Sequence, residues 1–136
     1  MDASPITLRP ATVAAVEAVQ AALRLAAESA GSADVHAKPG RDVVTSADVA
    51  GEQLIRQMLT KATGPPVAGE EGGGQVPADG SACWLVDPIC GTRNYASGGP
   101  LYAVNVALAE QGAVIAAVAG DASTRLVHVA ERGRGA

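Results

Sequence analysis

Apolar residues recur at helical spacing near the start of the chain. Between about Ala11 and Ala30 they fall every three or four positions, which places them on one face of an α-helix. This face consists of Val16, Val19, Leu23, Ala26, Ala27 and Ala30. Gly31 follows, at a position where glycine commonly ends a helix. Residues 32–41 are polar and include a Pro-Gly pair, so the pattern predicts one helix followed by a loop.

A second helical pattern begins after Thr45-Ser46-Ala47-Asp48. These residues offer capping oxygens and a carboxylate in the first turn, where the helix dipole favours negative charge. The apolar positions that follow at helical spacing are Leu54, Ile55, Met58, Leu59 and Ala62. Gly64-Pro65-Pro66 then stops the pattern, because proline cannot continue a helix. A second helix is predicted between these two signals.

The middle of the chain contains a loop and then a short strand. Residues 70–80 are rich in glycine and carry two adjacent glutamates and an aspartate, so they predict a flexible loop. Residues 83–86 form a short apolar run that suits a buried strand. We expect Asp87-Pro88 to end this strand, because proline restricts the residue before it and lacks an N–H for the sheet.

The last third of the chain has the period of two that is typical of strands. Tyr102, Val104, Val106 and Leu108 alternate with smaller or polar residues. The pattern resumes over 113–119 after Gln111-Gly112, which predicts an antiparallel hairpin, and a third strand follows at about 126–130. Two helices followed by strands predict one α+β domain over residues 1–136, with the two N-terminal helices packed on an antiparallel β-sheet.

The amino-acid composition indicates which side chains form the core and which classes of partner to expect. The chain is 48% apolar but contains no Phe, one Trp and two Tyr, so the core must consist mostly of small side chains. A net charge of −4 gives no basic surface for phosphate backbones, and we expect no nucleic-acid partner. No apolar stretch reaches the ~18 residues of a membrane span, and the first residues lack an apolar signal core. A cytoplasmic protein with no membrane partner is predicted.

The two cysteines do not form a recognisable metal or disulfide pattern. Cys83 and Cys90 stand seven residues apart, which fits neither a zinc site nor a disulfide scaffold. We expect both to be reduced thiols.

Hard oxygen donors gather around the end of the predicted strand. Asp87, the backbone carbonyl of Ile89 and the Glu70-Glu71 pair are the donor types that Mg²⁺ prefers. The alternative is that Asp87 only caps its turn and that the glutamates are solvated. Gly91-Thr92 follows, and successive N–H groups in such a turn can bind a phosphate. For Thr92 the alternative is an ordinary turn hydroxyl bonded to backbone.

Several segments, in their order and rough spacing, resemble the motifs of one family. They are DVVTSAD (42–48), GEE (69–71), WLVDPICGT (84–92), PLYAVNVALAEQG (100–112) and AERGRGA (130–136). They are similar to the D-x-V-T-x-x-D, G-E-E, W-x-x-D-P-I/D-D-G-T, P-x-x-A-V-x-x-A-L and A-x-x-G-x-G-A motifs of the inositol monophosphatase family. The resemblance covers nearly the whole chain from residue 42 on and corresponds to the N-terminal half of the family's chains.

The resemblance implies a Mg²⁺-dependent phosphomonoesterase. Its substrate would be inositol phosphate or another small sugar or polyol phosphate, hydrolysed by a metal-activated water. Carried over by position, Glu70, Asp87 and the Ile89 carbonyl would bind the first metal ion. Asp48 and Thr92 would orient the attacking water, and the N–H groups of Gly91 and Thr92 would face the phosphate.

Cys90 departs from the family motif, which has an aspartate ligand of a second metal ion at this position. A thiol is mostly neutral at pH 7 and is a soft donor that Mg²⁺ does not favour. We therefore expect the second metal site to be weakened or lost. A softer ion such as Zn²⁺ or Mn²⁺ is one alternative, and the preferred one is a small buried cysteine with no catalytic task. A nucleophilic Cys90 would need nearby cations to lower its pKa, and only Arg93 is close in sequence.

Length is the second departure, because chains of this family are about twice as long. Their later half supplies a further aspartate in a W-D motif and most substrate contacts, whereas the single Trp here is Trp84. We therefore expect a truncated member whose hairpin at 101–119 has an uncovered strand edge, which makes a second copy of the chain a candidate partner. Two functions remain open: a phosphomonoesterase, or a non-catalytic member that binds metal or phosphate weakly or serves as an interaction partner.

Overall fold

The computed structural model describes residues 7–32, 34–39 and 43–136. Its elements in chain order are α1 (Pro10–Ser29), β1 (Val35–Ala37), β2 (Val43–Thr45), α2 (Ser46–Ala62), β3 (Val67–Gly69), β4 (Cys83–Cys90), α3 (Thr92–Ala96), β5 (Ala103–Glu110), β6 (Ala113–Asp121) and β7 (Val127–Glu131). Within these described residues, no helix is long and apolar enough to cross a membrane.

Both predicted helices are confirmed. Helix α1 begins at Pro10, where the missing N–H costs no hydrogen bond, and Gly31 follows it with a φ of +79°. Helix α2 begins with a capping box, in which the Thr45 side chain accepts from the Asp48 N–H and the Asp48 carboxylate accepts from the Thr45 N–H. Its buried face includes Ile55 and Leu59, as the apolar spacing predicts.

The α+β fold is confirmed, and one sheet holds most of the strands. Strands β3 to β7 lie side by side in chain order, and every neighbouring pair from β4 to β7 is antiparallel. Gln111 and Gly112 both have positive φ in the tight turn between β5 and β6, which suits a two-residue hairpin loop. The predicted third strand of the run is β7.

Two predictions about strands are wrong, and the short strands β2 and β3 were not predicted. The stretch 32–41 was expected to be a loop, but it contains β1, which pairs with β2 in a separate two-stranded sheet. Strand β3 runs parallel to β4. Strand β4 does not end at Asp87-Pro88. It continues to Cys90 through a bulge, in which Pro88 and Ile89 on β4 lie opposite a single residue, Val104, on β5. Pro88 is tolerated at that bulge because no ladder N–H is required there.

Small side chains build the core between the two long helices and one face of the sheet. The strand residues that face α1 and α2 include Trp84, Val104, Val106, Ala116 and Val118, all buried. Gly120 continues this face, and a Cβ there would lie 2.6 Å from the Val19 and Leu23 side chains of α1. The close approach of α1 to the sheet therefore requires the small residue.

The opposite face of the sheet is only partly covered. Leu85, Ala107, Ala117 and Ala119 line a shallow groove of about 390 Å³ there, which continues to Glu70 and Asp87. The expected free edge on the hairpin is wrong, because β5 and β6 both lie inside the sheet and its outer strands are β3 and β7.

Candidate metal and phosphate site

The parallel pairing of β3 with β4 places Glu70 beside Asp87. Gly69 at the end of β3 lies opposite Val86 on β4. The residues that follow these two are Glu70 and Asp87, so their carboxyl groups come from neighbouring positions. The two carboxyl groups are close enough for the charge of Asp87 to act on Glu70. Burial, and then the charge of Asp87, raises the pKa of Glu70, and burial raises the pKa of Asp87. Both directions are those expected of carboxyl groups that are partly withdrawn from water and lie close to other negative charges.

The Asp87 side chain has an open coordination position. Its Oδ1 atom is buried and has no hydrogen-bond partner among residues 7–32, 34–39 and 43–136. Buried polar atoms are normally satisfied, and an unsatisfied carboxylate oxygen beside a second carboxyl group is the environment that a hard cation stabilises. The residues present therefore fit a divalent cation bound between Glu70 and Asp87.

A second group of side chains links α2 to the turn after β4. The Thr92 hydroxyl lies 3.0 Å from Asp48 Oδ1 and 3.0 Å from the Ile89 carbonyl oxygen. Asp48 is only 1% exposed, and its Oδ2 accepts from the N–H (2.8 Å) and hydroxyl (2.6 Å) of Thr45. Asp48 thus caps α2 and also fixes Thr92, so the two roles coexist. The Asp48 charge also contributes to the raised pKa of Glu70 and Asp87.

Gly91 makes the turn between β4 and α3 possible. It has a φ of +101°, and a Cβ at this position would lie 2.9 Å from the Leu101 carbonyl oxygen. Both the backbone conformation and the close approach therefore favour glycine. This turn places Thr92 at the first position of α3, where backbone N–H groups have no partner in the preceding turn.

Lys38 lies closer to one of the two adjacent glutamates than to the other. Its ammonium lies 2.6 Å from Glu71 Oε1 and 3.8 Å from Glu70 Oε1. The Glu71 side chain is 9% exposed, whereas that of Glu70 is 53% exposed. Glu71 therefore forms the closer ion pair with Lys38, and Glu70 is the more exposed glutamate, on which the charge of Asp87 acts.

The environment of Cys90 argues against each of the three alternatives considered for it. The residue is exposed and unbonded to Cys83, so it is a free thiol as predicted, but the expected buried position is wrong. Partial burial, and then Asp87, raises the pKa of Cys90. A nucleophilic cysteine requires the opposite shift. Within the described ranges, no three His, Cys, Asp or Glu side chains converge closely enough to hold a metal ion, so Cys90 does not complete such a group.

Three charged residues that contact the turn at residues 69–73 were not identified from the sequence. They are Lys38, Glu52 and Arg56. The four-residue spacing of Glu52 and Arg56 on a predicted helix was the only available signal, since it allows an ion pair on one helix face. Asp42, the first residue of the DVVTSAD motif, lies outside the described residues.

Comparison with known proteins shows the family of this chain. The family model described as the inositol monophosphatase family matches residues 7–136. The inositol-1-monophosphatase of Rhizobium meliloti is 41% identical over 104 residues, which are 75% of this chain and 39% of that protein. The inositol-1-monophosphatase of Caulobacter vibrioides is 36% identical over 126 residues, 89% of this chain and 49% of that protein.

A solved structure shows the same architecture. The extragenic suppressor protein SuhB of Bartonella henselae superposes with a TM-score of 0.84 at 31% identity, covering 90% of this chain and 49% of that chain. The chain thus spans about half the length, or less, of these relatives. With a family match over nearly its whole length, the chain belongs to the inositol monophosphatase family.

Proposed function

We propose that this chain carries the metal-binding and water-orienting part of a Mg²⁺-dependent phosphomonoesterase. The observation that supports it most is Asp87 Oδ1, which lies near Glu70, is buried and has no hydrogen-bond partner in the described part of the chain. The donor set is two carboxylates and the Ile89 carbonyl, all hard oxygens that suit Mg²⁺. A divalent cation bound there supplies Lewis acidity toward a phosphate ester and lowers the pKa of water.

The chain's own residues then orient the nucleophile. A threonine hydroxyl has one proton, and the Asp48 carboxylate is a stronger acceptor than the Ile89 carbonyl. When Thr92 donates that proton to Asp48, its oxygen lone pairs remain free to accept a hydrogen bond from water. Thr45 holds Asp48 in place, so the direction of this acceptor is fixed before substrate binds. The N–H groups of Gly91 and Thr92 are the proposed contacts to the phosphate.

The proposed substrate is a small phosphorylated polyol or sugar, such as an inositol phosphate. The printed names of the Rhizobium and Caulobacter relatives support this class. At least half of each of these two relatives has no counterpart in this chain, so the proposal covers the phosphate end of the substrate and not its hydroxyl groups. Cys90, a neutral thiol with a raised pKa, supplies no charge for a second cation. We therefore propose one weakly bound Mg²⁺ and slow turnover for the chain alone.

A phosphate-release assay with inositol and sugar phosphates tests this function. We expect slow release that requires Mg²⁺ and is lost in Asp87→Asn. Val114→Ala, an exposed substitution on β6, serves as the control that keeps native release. Rapid release, or release that is independent of Mg²⁺ or of Asp87, would contradict the proposal.

A further inference from the structure

A buried ion pair on α2 contacts the turn that carries Glu70. Glu52 is 1% exposed, and its carboxylate accepts hydrogen bonds from two successive N–H groups, those of Glu71 (2.8 Å) and Gly72. The Arg56 guanidinium lies 3.5 Å from the same carboxylate, one helical turn further along α2. A carboxylate buried this deeply is costly unless it is paired and hydrogen-bonded, and here both conditions are met.

Arg56 donates hydrogen bonds to one backbone carbonyl just before the same turn and to another at its end. Its Nη1 donates to the Val67 carbonyl at the start of β3 (2.8 Å), and its Nη2 donates to the Gly73 carbonyl (2.9 Å). The Gly69 N–H also donates to the Gly73 carbonyl, at 3.0 Å. Residues 69–73 therefore form a closed turn that two side chains of α2 hold from one side, although the sequence predicts a flexible loop from residue 70.

The glycines of this turn make room for the Glu52 carboxylate. A Cβ at Gly69 or at Gly72 would overlap its oxygen atoms. Neither glycine is among those with positive φ. The close approach of the carboxylate to the backbone, and not the backbone conformation, therefore requires glycine at these two positions.

We infer that Glu52 and Arg56 are positioning residues that hold the Glu70 carboxylate against Asp87. By fixing the peptide groups on both sides of Glu71, they set the direction in which the Glu70 side chain leaves the turn. This inference rests on the proposed function, in which Glu70 and Asp87 bind Mg²⁺, and it adds residues that act only through Glu70. Residues that orient metal ligands typically change metal affinity about 10- to 100-fold when substituted.

Three variants of the chain disrupt this support in different ways. Glu52→Gln removes a negative charge and one of two acceptor positions, Arg56→Met removes a positive charge, and Gly72→Ala changes no charge but displaces the carboxylate. If only charge mattered, Mg²⁺ affinity would fall in Glu52→Gln, rise in Arg56→Met and stay unchanged in Gly72→Ala. Loss of positioning lowers it in all three, by about 10- to 100-fold in titration calorimetry with Mg²⁺ alone.

Two control variants are matched to these changes. Glu131→Gln also replaces a buried glutamate that accepts a backbone N–H, that of Arg9, but it lies on β7 at the other edge of the sheet. Gly64→Ala adds a methyl group at a glycine without positive φ and with nothing within 4 Å of the new atom. Both controls should bind Mg²⁺ as the unaltered chain does. Thermal melting of each variant shows which of them are folded at the titration temperature.

Amide hydrogen exchange at Glu71 and Gly72 without Mg²⁺ supplies the second readout. Exchange should be faster in Glu52→Gln than in Glu131→Gln, and unchanged exchange overturns the inference. Native Mg²⁺ affinity in the three variants, or opposite shifts in Glu52→Gln and Arg56→Met, also overturns it. If Glu52→Gln does not fold, the more exposed Arg56→Met decides the question. An unaltered chain that binds no Mg²⁺ would instead overturn the proposed function.

Discussion

The hydroxyl of Thr92 is the most direct link between α2 and the turn after β4, so its removal should measurably weaken the fold. In Thr92→Val the side chain keeps its shape but loses the hydrogen bond to Asp48 Oδ1 at 3.0 Å. The other oxygen of Asp48 remains bonded to Thr45. The substitution therefore leaves one oxygen of a carboxylate that is 1% exposed without its partner.

The size of the effect follows from that burial. Hydrogen bonds to charged groups contribute about 1.5–3 kcal/mol to the free energy of unfolding. Because Thr92 itself is only partly buried, water can partly replace the lost donor, and we expect about 1.5 kcal/mol. With a urea m-value of about 2 kcal/mol/M, the unfolding midpoint should fall by about 0.7 M.

Thr92→Ser is the matched control, because it keeps the hydroxyl and should unfold within about 0.5 kcal/mol of the unaltered chain. In an Asp48→Ala background, Thr92→Val should lose most of its effect, since the acceptor is already gone. If Thr92→Val unfolds at the same urea concentration as the unaltered chain, the hydroxyl does not bond Asp48, and its proposed role in orienting water fails.

Three further predictions concern charge and backbone conformation. Cys90→Asp should strengthen Mg²⁺ binding in calorimetry, because it adds a carboxylate near the proposed cation; unchanged or weaker binding would argue against this. A hydrogen bond from the Thr12 hydroxyl, above all, holds the pKa of Glu131 below its ordinary value of 4.5. This carboxylate therefore stabilises the fold above pH 4.5, and the stability gap between the unaltered chain and Glu131→Gln should close as the pH falls further; a gap independent of pH refutes it. Gly91→Ala should destabilise by about 1–3 kcal/mol and more than Gly98→Ala, which has a similar φ but open space, and equal effects would contradict the clash.

The long elements were predictable from sequence because their signals are local. Helix α2 has an apolar spacing, a capping box and a proline stop within its own residues. The hairpin of β5 and β6 has alternation and a turn pair with positive φ. Strands β1 and β3 have three residues each, which is too few to show an alternation of apolar and polar positions. They form because they pair with β2 and β4 in the folded chain. Pro88 misled the prediction because a bulge removes the need for its N–H.

The candidate site was predictable in its types of residue but not in its arrangement. The sequence motifs identified Glu70, Asp87 and Thr92, yet which of the two glutamates faces Asp87 depends on Lys38, which is 33 positions from Glu71. The support from Glu52 was also hidden, because its hydrogen bonds run to backbone N–H groups across 19 and 20 positions. Contacts of this kind leave no short sequence pattern.

Titration of the chain with Mg²⁺ by calorimetry, with Asp87→Asn beside it, shows whether Glu70 and Asp87 bind a cation. In the described ranges, Asp87 has a buried carboxylate oxygen without a hydrogen-bond partner, Glu70 lies near it, and the pKa of the adjacent Cys90 thiol is raised, chiefly by partial burial. We expect one weak Mg²⁺ site that disappears in Asp87→Asn. Two tight sites in the unaltered chain, or binding that Asp87→Asn leaves intact, would contradict it.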